Sequence, residues 1–369
     1  MSKTRQLARK VAPQVARQLH APVTIATASA RRRHLMPALL LMAPLLFAAC
    51  PKNDAPESVR GGMSSRAKPS ESLTPIAGAI AFNGERAMEH VKKQVEFGPR
   101  PPGSPELART RAYIIDQLKS YGLKVTTDEF RASTPQGEKD MVNITAEIPG
   151  ESKDVIIISS HYDSKYFKNM RFVGANDPGA SVAALLELGR VFGATAKPKL
   201  SYWLVFFDGE EAFCEGWDDC GKPDAPDNTY GSRRFVSQLR ATNELNRVRA
   251  MILLDMMGYK NLELGRDTMS TKWLQDIVWQ TAAELGYGNI FVNRPEGVGG
   301  DDHEPFLRAG IDSLDLIQLS NYRSGSVEYW HTAEDTPDKI SPRSMKVVGD
   351  VVLASLPRIE LHVLSKRAS

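Results

Sequence analysis

The sequence is poor in cysteine and has no apolar run long enough to cross a membrane. Its 369 residues include only three cysteines, Cys50, Cys214 and Cys220, which excludes a scaffold held by many disulfides. The apolar run at residues 35–47 spans about 13 residues, short of the ~20 that a transmembrane helix needs. The apolar, charged and aromatic fractions are those of an ordinary globular protein with a sizeable core.

Acidic residues are missing from the first 50 positions, which carry eight basic residues. The rest of the chain holds 39 basic and 44 acidic residues, a net charge of −5, so nucleic-acid binding has no electrostatic support once this segment is removed. A basic stretch at residues 31–34, the apolar run and Ala48-Ala49-Cys50 follow the order of an export signal with a lipoprotein cleavage site. We expect lipidation of Cys50 and a domain facing the periplasm or the cell exterior. A plain cleaved signal or an uncleaved anchor is the alternative.

Composition divides the chain into an export segment (1–50), a flexible tether (51–80) and a catalytic domain (81–369). The tether is rich in Pro, Ser, Gly and Ala and shows little periodicity. Within the domain, Cys214 and Cys220 lie six residues apart. In an oxidising compartment they favour a disulfide that closes a small loop, and two unpaired thiols are the alternative.

Hydrophobic periodicity predicts an alternation of helices and strands. Several strands are continuous apolar runs, which is typical of strands buried on both faces. The predicted helices are 105–121, 179–192, 272–285 and 341–364, and the predicted strands are 125–130, 142–148, 155–159, 202–207, 250–254 and 313–319. We therefore expect a three-layer α/β/α sandwich around a mixed, mostly parallel sheet.

Polar residues follow several of the predicted strands at their carboxyl ends, where ligands bind in such sheets. A close cluster of carboxylates and imidazoles would be unstable without a cation, and His with Asp or Glu suits zinc. Each residue alone has a structural explanation, such as a cap or a core histidine. The candidates are His161, Asp163, Asp177, Asp208, Glu210, Glu211, Asp255 and His331.

The sequence resembles the glutaminyl-peptide cyclotransferases and, more distantly, the co-catalytic zinc aminopeptidases. The resemblance runs from about residue 82 to near the C-terminus. The strings shared with both groups are GPRPPGS (98–104), HYDS (161–164), GAND (174–177), FDGEE (207–211), LD (254–255) and WHT (330–332). Strings that resemble the cyclase branch are HYDSKYF (161–167), RFVGA (171–175), EEAF (210–213), YGSR (230–233) and DDHEPF (301–306).

The resemblance implies a metal site and a general acid/base. Asp177, Glu211 and His331 match the zinc ligands of the family, and Glu210 matches the acid/base. One zinc with an open fourth position would polarise the side-chain amide of an N-terminal glutamine. A single carboxylate can then take the proton of the attacking α-amine and return it to the departing nitrogen.

Further positions distinguish the two branches of the resemblance. In cyclases, Asp255 and Asp301 match acidic partners of the catalytic glutamate, whereas in the aminopeptidases the His161 and Asp255 positions bind a second zinc. Hydrolytic relatives usually carry a small residue in place of Asp301. Trp330 and Trp217 match the aromatic walls of the cyclase pocket, although Trp217 lies one residue further along than expected.

Other segments depart from the cyclase pattern. Residues 177–181 (DPGAS) and 331–340 (HTAEDTPDKI) look more like bacterial peptidases, and Ser160 replaces a cysteine of the secretory animal cyclases. We expect a glutaminyl cyclase with one zinc per chain. The alternatives are a di-zinc aminopeptidase and a catalytically silent binding lipoprotein, against which Glu210 argues. We further expect a monomer that takes peptide N-termini as substrate, meets the membrane only through its lipid and binds no nucleic acid.

Overall fold

The computed structural model describes residues 81–321, 325–326 and 328–368. The predicted export segment, residues 1–50, and the predicted tether, residues 51–80, lie outside the described residues. In the part of the chain that is described, no helix combines the length and the apolar character needed to span a bilayer.

Helices and strands alternate along the described residues. The helices are α1 (Gly84–Phe97), α2 (Pro105–Ser120), α3 (Gly179–Gly193), α4 (Tyr230–Ala241), α5 (Lys272–Glu284), α6 (Glu304–Arg308) and α7 (Pro342–Ala368), with 3₁₀ turns at Leu245–Arg247 and Pro337–Lys339. The strands are β1 (Lys124–Thr134), β2 (Gly137–Ile148), β3 (Val155–His161), β4 (Ser201–Phe207), β5 (Gly221–Lys222), β6 (Ala225–Pro226), β7 (Val248–Asp255), β8 (Leu264–Asp267), β9 (Phe291–Glu296), β10 (Ser313–Ile317), β11 (Ser320–Asn321) and β12 (Gly325–Ser326). Each predicted helix and strand corresponds to one of these elements.

Six of the strands form one mixed sheet in the order β1-β2-β4-β3-β7-β10. The four strands β4, β3, β7 and β10 run parallel to one another, and the hairpin of β1 and β2 joins them antiparallel through β2 and β4. The predicted mixed, mostly parallel sheet is therefore confirmed. Two-residue strands form small antiparallel pairs (β5 with β6, β11 with β12), and β8 pairs parallel with β9 outside the main sheet.

Helices cover the sheet on both faces, as expected for a three-layer sandwich. Ile156 and Ile158 of β3 point to one face, where they join a core that includes residues of α1, α2, α3, α5 and α7. Val155 and Ile157 point to the other face and pack in a second core with residues of α4 and α6. All four side chains are fully buried, which explains why the first four positions of the strand are apolar on both faces.

Local signals set the ends of the first two helices. The Asn83 side chain accepts hydrogen bonds from the first backbone N–H groups of α1. The Ser104 hydroxyl accepts from Leu107 N–H, and Pro105 occupies the first turn of α2, where its missing N–H costs nothing. Beyond the end of α2, Gly122 adopts φ +78°, a left-handed conformation that favours glycine.

The register of the parallel strands brings their carboxyl ends to one edge of the sheet. His161 at the end of β3 pairs with Phe207 at the end of β4, and Asp255 at the end of β7 pairs with Ile317 at the end of β10. The loops that leave these four strands therefore begin side by side. This edge is where the predicted site residues lie.

Candidate active site and metal centre

Asp177, Glu211 and His331 come together as one potential metal-binding group. His331 Nε2 lies 3.3 Å from Asp177 Oδ2 and 3.3 Å from Glu211 Oε1. Both carboxylates are buried, and Glu211 Oε1 has no hydrogen-bond partner among the described residues. Burying such an oxygen is costly unless a cation or donor satisfies it. The donor set of two carboxylate oxygens and one imidazole nitrogen fits zinc.

The electrostatics of this group also favour a cation. Burial opposes a positive charge on the His331 ring, but the charge of Glu211 and its contact with Asp177 outweigh that cost and raise the pKa of His331 to about 10. The same two carboxylates that hold a proton on the ring would hold a metal ion in its place. The three residues of the predicted ligand triad therefore lie close enough together, and carry enough negative charge, to hold a metal ion.

Two buried side chains hold the loop that carries Asp177, the guanidinium of Arg100 and the carboxylate of Asp335. The Arg100 guanidinium donates to Val173 O at 2.7 Å and to Gly174 O at 3.0 Å. The Asp335 carboxylate accepts from Asp177 N–H at 3.0 Å and from the preceding N–H at 2.8 Å. Gly174 has φ +50°, and a Cβ there would lie 1.8 Å from Asp177 O, so only glycine permits this turn.

Glu210 and Glu211 are positioned by Asp163, a fully buried residue two positions beyond β3. Asp163 Oδ1 accepts from Gly209 N–H at 2.9 Å and from Glu210 N–H at 3.1 Å, and Oδ2 accepts from Glu211 N–H at 3.3 Å. Lys165 Nζ donates to the backbone carbonyl of the residue after Glu211 at 2.9 Å, and it lies 3.9 Å from Glu211 Oε2. Through Asp163, the HYDS string therefore positions the backbone of the segment that bears both glutamates.

His331 lies between aromatic rings. It stacks on Trp330 with ring centroids 4.3 Å apart, and Phe167 and Phe172 meet it edge-on at 5.8 Å. The residue itself has φ +54°, a left-handed conformation that is uncommon for a residue with a side chain and that strains the backbone here. Packing on three sides fixes the imidazole that faces the two carboxylates.

A second potential metal-binding group shares Asp177 with the first. His161 Nε2 lies 3.3 Å from Asp177 Oδ1 and 3.3 Å from Asp255 Oδ1, and all three residues are buried. Asp177 thus directs one oxygen to each histidine. The residues predicted for a second zinc are brought together by the fold as closely as those of the first.

Glu210 lies at the centre of this arrangement. Its Oε2 is 3.5 Å from His161 Nδ1. Burial raises the pKa of Glu210 well above its usual value, and the negative charge of Asp301 adds to this effect, while His161 opposes it. A raised pKa makes this carboxylate easier to protonate, which suits a group that both takes up and releases a proton in general acid/base catalysis.

Asp301 lines the same pocket as Glu210 but makes its closest contacts elsewhere. Burial, together with the charge of Asp255, raises the pKa of Asp301 to about 7. In the described part of the chain no hydrogen bond joins Asp301 to Glu210. Asp301 instead accepts from the backbone N–H of the next residue and lies in one buried cluster with His303 and Asp315. The expected proton-sharing contact between Asp301 and Glu210 stays a prediction, and their described interaction is electrostatic.

A pocket of about 230 Å³ opens above these groups. It is lined by catalytic and metal-site candidates together with two tryptophans and a glycine-containing loop. The lining residues are Asp177, Glu210, Glu211, Trp217, Asp218, Asp255, Met256, Val298, Gly299, Gly300, Asp301, Ile317, Leu319, Trp330 and His331. Both predicted aromatic walls, Trp217 and Trp330, thus reach the site.

Trp217 lies in a loop closed by a disulfide. Cys214 and Cys220 are bonded, which confirms the paired interpretation of the two cysteines. Asn228 Nδ2 donates to Trp217 O at 3.2 Å, and Asp227 Oδ2 accepts from Cys214 N–H at 2.9 Å. The extra residue before Trp217 is accommodated within this closed loop, and the indole still reaches the pocket.

Some functional residues were not assigned by sequence reasoning. Arg100 and Asp335 fall inside quoted strings, yet nothing in their spacing shows that they hold the Asp177 loop. Asp315 and His303 are buried beside Asp301. His303 Nε2 lies 3.2 Å from Asp267 Oδ2, and His303 Nδ1 lies 3.8 Å from Asp315 Oδ2. The signal for Asp315 was present, since an acidic residue interrupts the apolar strand β10.

Sequence comparison finds a family and curated relatives for this chain. The model of peptidase family M28 matches residues 143–356 of the chain. The glutaminyl-peptide cyclotransferase of Bos taurus is 30% identical over 290 residues, an alignment that covers 65% of this chain and 73% of the bovine protein.

Solved structures show the same similarity in three dimensions. The glutaminyl cyclase of an Acidobacteriales bacterium superposes with a TM-score of 0.70 at 34% identity, over 82% of this chain and 100% of that one. A Zn-dependent exopeptidase from Parabacteroides distasonis superposes with a TM-score of 0.68 at 29% identity, over 74% of this chain and 98% of the other. The cyclase and the exopeptidase thus share the fold described above.

Proposed function

We propose that this chain, which belongs to peptidase family M28, is a zinc-dependent glutaminyl-peptide cyclotransferase. It converts the N-terminal glutaminyl residue of a peptide to pyroglutamate and releases ammonia. The observation that carries the proposal is the pocket itself. Glu210 and the ligands Asp177, Glu211 and His331 form its base, Asp301 forms part of its wall, and tryptophans line it. The relatives named above as cyclotransferase and cyclase support the same assignment.

The residues present account for the bonds that change. The α-amine of the substrate attacks its own side-chain amide carbon, a C–N bond forms, and the amide nitrogen leaves as ammonia. Glu210 accepts the proton of the amine and delivers it to the departing nitrogen. Asp177, Glu211 and His331 would hold the zinc ion, which would supply a Lewis acid for the amide carbonyl oxygen. The tryptophans exclude water and hold the glutaminyl side chain near Glu210.

We propose one zinc per chain as the working state. The support is Asp301, which adds a carboxyl group to the pocket where the resemblance indicates a small residue in hydrolytic relatives. Its negative charge helps to keep the pKa of Glu210 high, which suits proton transfer to and from nitrogen. The second candidate function is a di-zinc aminopeptidase. It is favoured by one specific observation, the buried group of His161, Asp177 and Asp255.

One assay separates the two functions. Purified protein is incubated with a glutaminyl dipeptide amide and, separately, with leucine amide, and pyroglutamate, ammonia and free leucine are measured alongside zinc content. Pyroglutamate and ammonia in equal amounts, with little leucine, are the expected result. The Glu210→Gln variant is the control for contaminating activity. Rapid leucine release without pyroglutamate, at two zincs per chain, would assign the chain to the aminopeptidases, and no turnover of either substrate would favour a silent binding protein.

We also propose that the mature protein is an exported, monomeric lipoprotein anchored through Cys50. The order of basic, apolar and Ala-Ala-Cys segments supports this. The disulfide between Cys214 and Cys220 supports an oxidising compartment. Mass spectrometry of the protein from its membrane fraction should find a lipidated N-terminal cysteine, and an unmodified chain that retains residues 31–49 would exclude the anchor.

A further inference from the structure

The charge around the pocket is strongly one-sided. Among the residues that the structure describes, six acidic residues line it, and no lysine or arginine does. Five of the six are buried and belong to the catalytic and metal-binding cluster already described. The sixth, Asp218, is exposed at the mouth of the pocket, next to Trp217.

Asp218 is held in place by the loop that carries it, here named the clip loop (residues 214–220). A disulfide closes this loop at its two ends. Inside it, Gly216 N–H donates to Asp219 Oδ2 at 2.7 Å, and Asn228 anchors the carbonyl of Trp217 from outside. Within the described part of the chain, no hydrogen bond or ion pair engages the Asp218 carboxylate itself. The loop therefore presents an unengaged negative charge at the opening.

The size of the pocket determines what part of a peptide meets this charge. A volume of about 230 Å³ is below the range of roughly 300–1,000 Å³ that holds a drug-sized ligand, so it accommodates little more than one residue. When the N-terminal glutaminyl residue occupies the pocket beside Glu210, the rest of the peptide must leave through the mouth. The side chain of the second residue then lies near the rim that Trp217 and Asp218 form.

We propose that Asp218 determines specificity for the second residue of the substrate and selects peptides with lysine or arginine at that position. This proposal rests on the proposed function and deepens it. A cationic side chain gains attraction to the Asp218 carboxylate, and an acidic side chain meets repulsion. An exposed pair of this kind changes affinity by about two- to fivefold, so attraction and repulsion together separate the two peptide classes by about fivefold or more.

The test compares matched peptides. The value of kcat/KM is measured for Gln-Lys-Ala amide and Gln-Glu-Ala amide with wild-type protein, Asp218→Asn, Asp218→Lys and Glu215→Gln. Glu215→Gln is the matched control, because Glu215 is an exposed acid of the same clip loop that does not line the pocket. The ratio of lysyl to glutamyl peptide is expected to be about fivefold or more in wild type and in Glu215→Gln. It should fall to near one in Asp218→Asn and drop below one in Asp218→Lys.

Salt provides a second readout, since exposed charges are screened when the Debye length falls to about 3 Å at 1 M ionic strength. The wild-type ratio should shrink toward one in 1 M NaCl, whereas the ratio of Asp218→Asn should stay constant. An unchanged ratio in Asp218→Asn, or an equal loss in Glu215→Gln, would overturn the assignment of Asp218 and leave the cyclase function intact. Failure of the wild-type protein to cyclise any glutaminyl peptide would overturn both.

Discussion

Replacing Asp163 with Asn tests whether the HYDS string positions the catalytic segment. The substitution preserves the shape of a fully buried side chain and removes its charge and one of its two acceptor oxygens. If Asn keeps its oxygen toward the N–H groups of Gly209 and Glu210, its amide NH₂ faces the N–H of Glu211, which Asp163 Oδ2 now accepts at 3.3 Å. Two donors would then face each other in a site without water access.

The cost follows from these three hydrogen bonds. Loss of the charge weakens the two retained bonds by about 1 kcal/mol each. Leaving the buried N–H of Glu211 without an acceptor costs about 1–3 kcal/mol more. We therefore expect Asp163→Asn to lower the free energy of unfolding by about 3–5 kcal/mol. The shift of Glu210 and Glu211 should also reduce kcat by roughly tenfold to a hundredfold, as expected for a displacement of catalytic groups by about 1 Å.

Urea unfolding in the presence of EDTA measures the stability loss without a contribution from metal release. Steady-state kinetics on a glutaminyl peptide measure the effect on the segment that bears the glutamates. The control is Asp140→Asn, which removes an exposed carboxylate paired with Arg131 and should leave the free energy of unfolding nearly unchanged. A loss of unfolding free energy below about 1 kcal/mol for Asp163→Asn, with kcat as in wild type, would refute the role of Asp163 in positioning this segment.

Four further outcomes are expected. Glu210→Gln should retain zinc while turnover falls by at least ~10²-fold, and near-normal turnover would mean that another group moves the proton. His331→Ala should lose zinc on dialysis, measured by elemental analysis, and full zinc content would remove this residue from the site. Trp330→Ala should raise KM or lower kcat at unchanged zinc content, and wild-type kinetics would place the indole outside the substrate pocket. Burial lowers the pKa of His90 to about 4. The unfolded chain therefore binds more protons between pH 6.5 and 4, and this stability is present above pH 6.5 and lost as pH falls toward 4. The stability difference between wild type and His90→Gln should change by about 2 kcal/mol between pH 7.5 and 4.5, and an unchanged difference would argue against a neutral buried imidazole.

The parts of the fold that could be predicted were those with strong apolar patterns. The first four residues of strand β3, Val155 to Ile158, are buried on both faces, so they form a continuous apolar run that has few other interpretations. Helix α1 was missed because its buried face is made of Gly84, Ala87, His90, Val91 and Gln94, of which only one is a large apolar residue. A face of small and polar residues gives no hydrophobic periodicity, even though Asn83 marks the start of the helix.

The candidate site was predictable where chemistry required a particular residue type next to a strand end. His161 and Asp255 directly end strands, and Glu210 and Glu211 follow one closely. Hydrogen bonds between a side chain and a distant backbone leave no such trace. Arg100 donates to the backbone carbonyl of Val173, which lies 73 positions away in the sequence. Another side chain could satisfy the same carbonyl in the same fold, so the sequence alone does not reveal the contact. The position of Trp217 at the pocket could not be predicted either, because the loop that carries it is held by the disulfide and by Asn228.

The two oxygens of Asp177 face two different histidines, and this shared carboxylate has a consequence for metal loading. A single negative charge divided between two cations gives each of them only part of its attraction, and an ion beside His331 repels an ion beside His161. Coupling of this kind is reciprocal, so occupancy of either position weakens the affinity of the other by the same factor. Zinc should therefore enter in two well-separated steps of affinity. The single zinc proposed as the working state would then be the ion of the tighter step, and a second ion would enter only at a higher concentration of free zinc.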